Sequence, residues 1–147
     1  MKKPYVLGFY GKSNTGKTTL IIDLIKHFKN KDFNIATVKI SDKKISFDNE
    51  NKDSYNHYKA GSELVVLSSK IETDFLVKHN LSIEYIIKKI TNFSEFDLIF
   101  IEGANDEKID KIRIGDIKER KNTIHTYYGD FLRLVNLIIE RINMEIE

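Results

Sequence analysis

The chain has 147 residues, of which 41% are apolar and 31% are charged, and its net charge is +2. This length predicts a single domain over residues 1–147 with enough apolar residues for one core. The small net charge, with no stripe of arginine and aromatic residues, argues against nucleic-acid binding. The chain contains no cysteine, which excludes disulfides and thiolate chemistry, and it lacks an apolar stretch of about 18 residues, so we expect a cytoplasmic protein with no membrane segment.

Apolar periodicity predicts strands that alternate with helices along the chain. Strands are predicted at 5–10, 34–40, 64–67, 74–77, 97–101 and 112–114, the last as a short edge strand. Helices are predicted at 17–29, 53–60, 82–92 and 131–146, and the polar stretch 41–52 is predicted to be a loop. This alternation indicates an α/β fold with three layers and a mostly parallel central sheet.

A glycine-rich segment, GKSNTGKTT, lies at residues 11–19, between the first strand and the first helix. It fits the phosphate-binding pattern G-x-x-x-x-G-K-[ST], in which backbone N–H groups and the helix N-terminus face phosphate oxygens. Lys17 is expected to reach the β- and γ-phosphates, and the Thr18 hydroxyl is expected to bind Mg²⁺. The sequence therefore predicts a P-loop NTPase fold. The predicted nucleotide-binding residues in this loop are Gly11, Lys12, Ser13, Asn14, Thr15, Gly16, Lys17, Thr18 and Thr19.

Mg²⁺ in such sites is also held by an acidic residue at the end of a neighbouring strand. Asp97 begins the strand at 97–101 and Glu102 follows its end. Because parallel strands present their functional ends at the carboxyl edge, Glu102 is favoured as a metal ligand, and it joins Lys17 as a candidate catalytic residue. Asp48, in the loop after the second strand, is a weaker metal candidate, and that loop could equally be a solvated charged segment. The loop and its boundary contain three further acids, Asp42, Glu50 and Asp53.

Four segments in a fixed order carry a more specific signal than the phosphate loop alone. They are GKSNTGKTTL, ATVK at 36–39, KDSYNHYKAG at 52–61 and FDLIFIEG at 96–103. Together they resemble the MobB family, molybdopterin-guanine dinucleotide biosynthesis protein B, from about residue 5 to residue 114. In the segment KDSYNHYKAG, Lys52 and Asp53 are further candidates for contact with phosphate, with a second substrate or with a dimer partner. A helix cap preceded by a surface lysine explains them equally well.

The resemblance implies a small GTP-binding protein with weak GTPase activity that commonly forms homodimers. It also implies that the protein assists the guanylyltransferase that joins GMP to molybdopterin, which yields the dinucleotide form of the molybdenum or tungsten cofactor. Mg²⁺ and GTP are thus the expected ligands, and the guanylyltransferase, molybdopterin and a second copy are the expected partners.

The chain also departs from the family pattern. The family's histidine-rich run after VK is replaced by ISDKK, and the usual Pro-Gly before KDS is missing. EGAN stands where many members have EGFK, and no Asn-Lys-x-Asp tetrad is present to recognise guanine. A preference for GTP therefore depends on analogy with the family.

Two other functions compete with this interpretation. A small nucleotide or nucleoside kinase would need several arginines over the phosphates, whereas the four arginines here all follow residue 112 and form no lid segment. A nucleotide-switched adaptor without significant catalysis fits the absence of glutamine, because hydrolysis without a water-orienting residue is slow. The mixed-charge run at 106–121 is expected to be solvated surface, with an edge strand or a dimer surface as the alternative.

Overall fold

The computed structural model describes residues 2–146, which contain seven strands and four helices. The strands are β1 (Tyr5–Gly11), β2 (Ile35–Lys39), β3 (Leu64–Ser68), β4 (Thr73–Val77), β5 (Leu98–Glu102), β6 (Asp110–Ile114) and β7 (Thr123–Tyr127), and the helices are α1 (Lys17–Lys29), α2 (Asp53–Lys59), α3 (Ile83–Phe93) and α4 (Phe131–Ile146). They form two compact units, one made of the chain up to Ser41 and from Ile87 onward, the other of Asp42–Ile86. The single domain predicted over residues 1–147 stays a prediction.

The first unit is built on a sheet of five parallel strands in the order β2-β5-β1-β6-β7. In register, Phe9 of β1 lies beside Glu102 of β5, and Glu102 lies beside Lys39 of β2. On the other side of β1, Gly11 lies beside Ile114 of β6. The carboxyl ends of these four strands therefore meet at one edge of the sheet, and the predicted α/β fold with a mostly parallel sheet is confirmed.

Helices α1 and α4 pack against one face of this sheet. Residues spaced three and four apart on α1, such as Leu20, Leu24 and Phe28, form the apolar stripe that makes this segment helical and buries it. The ring of Phe28 lies edge-on to Phe100 of β5, which in turn packs edge-on against Phe9. The core on this face contains Tyr5, Leu7, Phe9, Leu98, Phe100, Ile112 and Ile114 from the strands, and Leu20, Ile21, Leu24, Phe28, Leu134, Val135, Ile138 and Ile142 from the helices.

Loops cover the opposite face of β1. A Cβ atom on Gly8 would lie only 2.4 Å from the Cβ of Ala104, so glycine is required for the loop after β5 to approach this closely. The guanidinium of Arg120, in the loop after β6, lies 4.6 Å from the centre of the Tyr10 ring, and the Tyr10 hydroxyl accepts a hydrogen bond from the Arg120 backbone N–H. The strand that leads into the phosphate loop is thus buried on both faces.

The second unit contains α2 and a two-stranded antiparallel sheet. In this hairpin Val66 of β3 lies opposite Phe75 of β4, and Leu64 lies opposite Val77. Val65, which points to the other face of the hairpin, is buried. The four cross-strand residues are instead 40–52% exposed, so the hairpin presents an apolar face to solvent.

Three features in the last third of the chain differ from the sequence predictions. Residues 112–114 were expected at an edge of the sheet, but β6 lies between β1 and β7. β7 itself was not predicted. The run at 106–121 is not simply solvated surface, because it contains β6 and the fully buried side chain of Lys111, whose ammonium donates hydrogen bonds to the carbonyls of Ile109 and Lys121, each at 2.7 Å.

Candidate functional site

The predicted phosphate loop connects the end of β1 at Gly11 to the start of α1 at Lys17. Two residues in this loop have left-handed backbone conformations, Asn14 (φ 61°) and Gly16 (φ 87°), and they reverse the chain direction within a few residues. Gly11 meets β6 so closely that a Cβ atom there would lie 2.6 Å from the carbonyl oxygen of Ile114. Glycine is therefore needed at Gly11 for space and at Gly16 for conformation.

The N-terminus of α1 opens into this loop with its positive end uncompensated. Gly16 is the N-cap residue and offers no side chain, and the first turn of the helix contains no acidic residue. The carbonyl of Gly16 accepts the first helical hydrogen bond, from the Leu20 N–H. Because the first N–H groups of a helix have no partner within it, this end of α1 favours an anion.

Lys17 folds back across the loop. Its ammonium donates hydrogen bonds to the carbonyl oxygens of Gly11 at 2.8 Å and Lys12 at 3.0 Å. The Thr15 hydroxyl donates to the same Lys12 carbonyl at 2.6 Å. The loop is thus closed by its own side chains, and the positive charge of Lys17 lies directly over it.

Thr18 and Glu102 meet at the carboxyl edge of the sheet. The Thr18 hydroxyl donates a hydrogen bond of 3.2 Å to Oε1 of Glu102, whose side chain is only 18% exposed. These are two oxygen ligands of the type that Mg²⁺ prefers, so their chemistry and spacing fit a magnesium site. Lys39 lies on the other side, with its ammonium 4.0 Å from the same Oε1 atom.

The position of Glu102 is fixed by the close approach of β2 and β5. Gly103 has a φ of 87°, and a Cβ atom there would lie 2.5 Å from the carbonyl oxygen of Ile40. The Gly103 N–H donates to the Phe9 carbonyl at 2.8 Å, and the Ile40 N–H donates to the Glu102 carbonyl at 2.9 Å. The backbone around Glu102 is therefore held to the strands on both sides.

Asp97, the alternative acid, lies at the opposite edge of the sheet. Its carboxylate accepts hydrogen bonds from the ammonium of Lys2 at 2.8 Å and from the backbone N–H of Asn34 at 2.7 Å. These contacts tie the N-terminal segment and the turn before β2 to the start of β5. The structure thus places Glu102, and not Asp97, at the edge that carries the phosphate loop.

The weaker candidates, Asp48, Lys52 and Asp53, belong to the second unit. The Asp48 carboxylate accepts hydrogen bonds from the Lys78 ammonium and from the Ser54 hydroxyl, and its side chain has no exposed surface. Lys52 donates to the carbonyl of Phe47 at 2.8 Å, and Asp53 is the first residue of α2. These contacts order the loop at 42–52 within the second unit, and roles for the three residues in binding or metal coordination stay predictions.

Sequence reasoning did not select Lys39 as a site residue. ATVK was used only as part of a family resemblance, and a lysine that ends a strand normally indicates a solvated charge. The signal was in the pairing of strands, which places Lys39 beside Glu102, and the sequence does not reveal which strands are neighbours.

A family model described as molybdopterin guanine dinucleotide synthesis protein B, MobB, matches residues 6–136. The chain belongs to the MobB family. Among similar MobB-related proteins, the putative molybdopterin-guanine dinucleotide biosynthesis adapter protein of Methanocaldococcus jannaschii is 31% identical over 101 residues, which cover 69% of this chain and 41% of the relative. The adapter protein of the same pathway from Escherichia coli is 30% identical over 111 residues, which cover 73% of this chain and 63% of the relative. The match to the adapter protein of Haemophilus influenzae covers 61% of that relative, so the chain spans less than two thirds of the length of each of these proteins.

Solved MobB structures share the fold. A crystal structure of molybdopterin-guanine biosynthesis protein B superimposes with a TM-score of 0.66 at 21% identity, over 94% of this chain and 99% of the other. The crystal structure of Bacillus subtilis MobB gives a TM-score of 0.67 at 18% identity, over 93% and 96% of the two chains. These comparisons confirm the α/β fold and the resemblance to MobB. In residues 2–146, no helix has the length and apolar character needed to cross a membrane.

Proposed function

We propose that this MobB-family protein is a GTP-binding adapter that assists conversion of molybdopterin to its guanine dinucleotide form. The observation that carries the proposal is the meeting of Lys17, Thr18 and Glu102 around one phosphate loop, in a chain that belongs to the MobB family. Relatives in this family are described as molybdopterin-guanine dinucleotide biosynthesis adapter proteins. A preference for guanine over adenine is part of this proposal and is based on analogy with these relatives.

The phosphate loop and Glu102 have different tasks in this proposal. The backbone N–H groups at residues 11–19 surround the phosphates, and Lys17 exchanges its carbonyl partners for phosphate oxygens. Thr18 and Glu102 would hold Mg²⁺, which on binding would neutralise charge on the β- and γ-phosphates. Both side chains already lie within hydrogen-bond distance of each other, so little rearrangement is needed to form the site.

We expect GTP hydrolysis by the isolated protein to be weak. The chain contains no glutamine to orient a water molecule. Two of its four arginines are engaged elsewhere, because Arg113 donates to the carbonyl of Ile117 at 3.0 Å and Arg120 donates to the carbonyl of Ala104 at 2.7 Å. The same engagement weighs against a kinase, which would need mobile arginines over the phosphates.

The adapter role requires partners of defined chemistry. These are a molybdenum cofactor guanylyltransferase, molybdopterin and a second copy of this chain. The exposed apolar face of the hairpin formed by β3 and β4 supports the last of these, because a two-stranded sheet is only marginally stable without further packing and large exposed apolar patches mark interaction surfaces. Mg²⁺, and the involvement of Lys52, Asp53 or Asp48, belong to the same proposal.

A thermal-shift comparison tests nucleotide binding directly. We expect GTP with Mg²⁺, at about one hundred times its Kd, to raise the Tm of the wild type by roughly 5–10 °C, and ATP to raise it less. Lys17→Ala should abolish most of this shift, because the loop then loses the cation that reaches the terminal phosphates. Lys29→Ala, at the far end of α1, is the control and should respond like the wild type.

Two results would contradict the proposal. GTP that stabilises the wild type no better than ATP would remove the guanine preference. A protein that binds neither a guanylyltransferase nor molybdopterin, with GTP and Mg²⁺ present, would remove the adapter role.

A further inference from the structure

Lys39 is a basic residue at the carboxyl end of a strand that neighbours the strand of Glu102. β2 and β5 pair in parallel with Lys39 opposite Glu102, and β5 pairs in turn with β1, whose end leads into the phosphate loop. The side chain of Lys39 is 62% exposed, so it can move, whereas the backbone at its base is fixed by the bond from Ile40 to the Glu102 carbonyl. The backbone of Lys39 is thus held at the edge that carries the candidate nucleotide site, while its ammonium group can move.

The Lys39 ammonium and the Thr18 hydroxyl approach the same atom. Oε1 of Glu102 lies 3.2 Å from the Thr18 hydroxyl and 4.0 Å from the Lys39 ammonium. An exposed ion pair of this length contributes little to stability, so a purely structural role gives a weak reason for this placement. A binding role explains the placement of Lys39 better. An ammonium group beside Glu102, the candidate metal ligand, would add positive charge where a bound nucleotide carries its phosphates.

The two lysines at the carboxyl edge of the sheet favour a triphosphate over a diphosphate. Lys17 is held over the loop, whereas Lys39 stands next to Glu102, two strands away from β1. In P-loop proteins the groups that hold the metal ion lie close to the β- and γ-phosphates, so a cation beside Glu102 would lie within reach of the terminal phosphates. If Glu102 held Mg²⁺, its pairing with Lys39 would weaken, and the exposed Lys39 ammonium would be available to a phosphate oxygen.

We propose that Lys39 recognises the terminal phosphate of a bound nucleoside triphosphate and so determines the preference for triphosphate over diphosphate. This inference rests on the proposed nucleotide-binding function and assigns to it a residue outside the phosphate loop. In the free protein Lys39 pairs with Glu102, and in the complex it exchanges that carboxylate for a γ-phosphate oxygen. GDP, which lacks this phosphate, gains nothing from Lys39.

Calorimetric titrations with Mg²⁺ test the inference. The ligands are the β,γ-imido analogue of GTP, which is not hydrolysed at that bond, and GDP, and the variants are Lys39→Met and Lys39→Arg. Lys31→Met is the matched control, because Lys31 lies in the turn before β2, at the opposite edge of the sheet, and the charge change is identical. Melting curves followed by circular dichroism establish that each variant is folded.

We expect Lys39→Met to weaken binding of the triphosphate analogue roughly tenfold or more, because a charge-assisted hydrogen bond is lost. Its affinity for GDP should stay unchanged, and Lys39→Arg should retain most of the preference. An equal fall for both ligands, or no fall for either, overturns the inference alone. A wild type that binds neither ligand nor the corresponding adenine nucleotides overturns the proposed function, and the role of Lys39 falls with it.

Discussion

Single atoms decide the properties of the candidate site. One carboxylate oxygen of Glu102 receives the Thr18 hydroxyl and faces the Lys39 ammonium, and one carbonyl oxygen of Lys12 receives both Lys17 and Thr15. Each shared acceptor couples two side chains, so removal of either donor changes the environment of the other. Single substitutions here are therefore expected to have effects that are not additive.

Asp48 provides a pH-dependent test in the second unit. The hydrogen bond from Lys78, followed by that from Ser54, lowers the pKa of the Asp48 carboxyl group. A carboxylate whose pKa is lower in the folded state stabilises the protein above the unfolded pKa, about 4, and this contribution is lost as the pH falls through the folded value. We expect Asp48→Asn to lower the free energy of unfolding at pH 7, and this difference from the wild type to shrink below about pH 4.

Urea unfolding at several pH values measures this difference. Asp42→Asn is the control, since Asp42 is an exposed aspartate of the same unit, and its difference from the wild type should be small throughout. A loss in Asp48→Asn that stays constant from pH 7 to pH 3 would show that packing of the amide, and not loss of the charge, is responsible.

At the scale of elements, the site depends on how closely strands approach one another. Gly103 and Gly16 have the same φ, 87°, but a Cβ atom on Gly103 would lie 2.5 Å from the Ile40 carbonyl oxygen, whereas one on Gly16 would meet nothing within 4 Å. Alanine at either position incurs the left-handed backbone cost of about 1–2 kcal/mol. Only Gly103→Ala should lower the free energy of unfolding by a further ~1–3 kcal/mol, because β2 and β5 must separate to make room for the methyl group.

The free energy of unfolding of the two variants, measured in urea without nucleotide, checks this prediction. Both positions have a φ of 87°, so the backbone cost is of similar size and the difference between the two variants reports mainly the contact with Ile40. Equal destabilisation by the two substitutions would mean that the strand ends adjust without cost.

Elements with strong apolar periodicity could be predicted from the sequence, and those whose pattern is hidden by polar residues could not. The bounds predicted for α1 and α4 agree with the structure, because each shows a regular apolar stripe. β6 was mistaken for an edge strand. Lysine is normally a surface residue, yet Lys111 of β6 is buried, and its ammonium donates hydrogen bonds to two backbone carbonyls. β7, TIHTY, is half-buried along its length and has no clear alternation.

The residues of the candidate site also separate into those that the sequence could predict and one that it could not. The phosphate loop is local in sequence, so its residues could be named at once. Glu102 could be preferred over Asp97 from strand direction alone. Lys39 could not be found, because its role depends on which strand lies next to β5, and neither composition nor spacing specifies that order.

At the scale of the whole molecule, the hairpin of β3 and β4 predicts self-association. Val66 lies near the middle of its exposed apolar face, so Val66→Asp should place a charge within the proposed dimer interface and convert dimers to monomers. Sedimentation velocity at several protein concentrations measures the change. Leu132→Asp, on exposed α4 surface of the other unit, is the control and should leave the dimer intact. A wild type that stays monomeric at high concentration would contradict the prediction.

The strand order also has a consequence for biosynthesis of the chain. β1 and β2 are made before the other strands of this sheet, yet they are not neighbours, and β5 lies between them. Neither strand has a partner in this sheet until Leu98–Glu102 has left the ribosome, and the far side of β1 waits for Ile114. Such pairing between distant parts of a chain is slow to form, because long loops must close before any contact is gained. The nascent chain therefore carries its complete phosphate loop long before it has the sheet that could hold a nucleotide there.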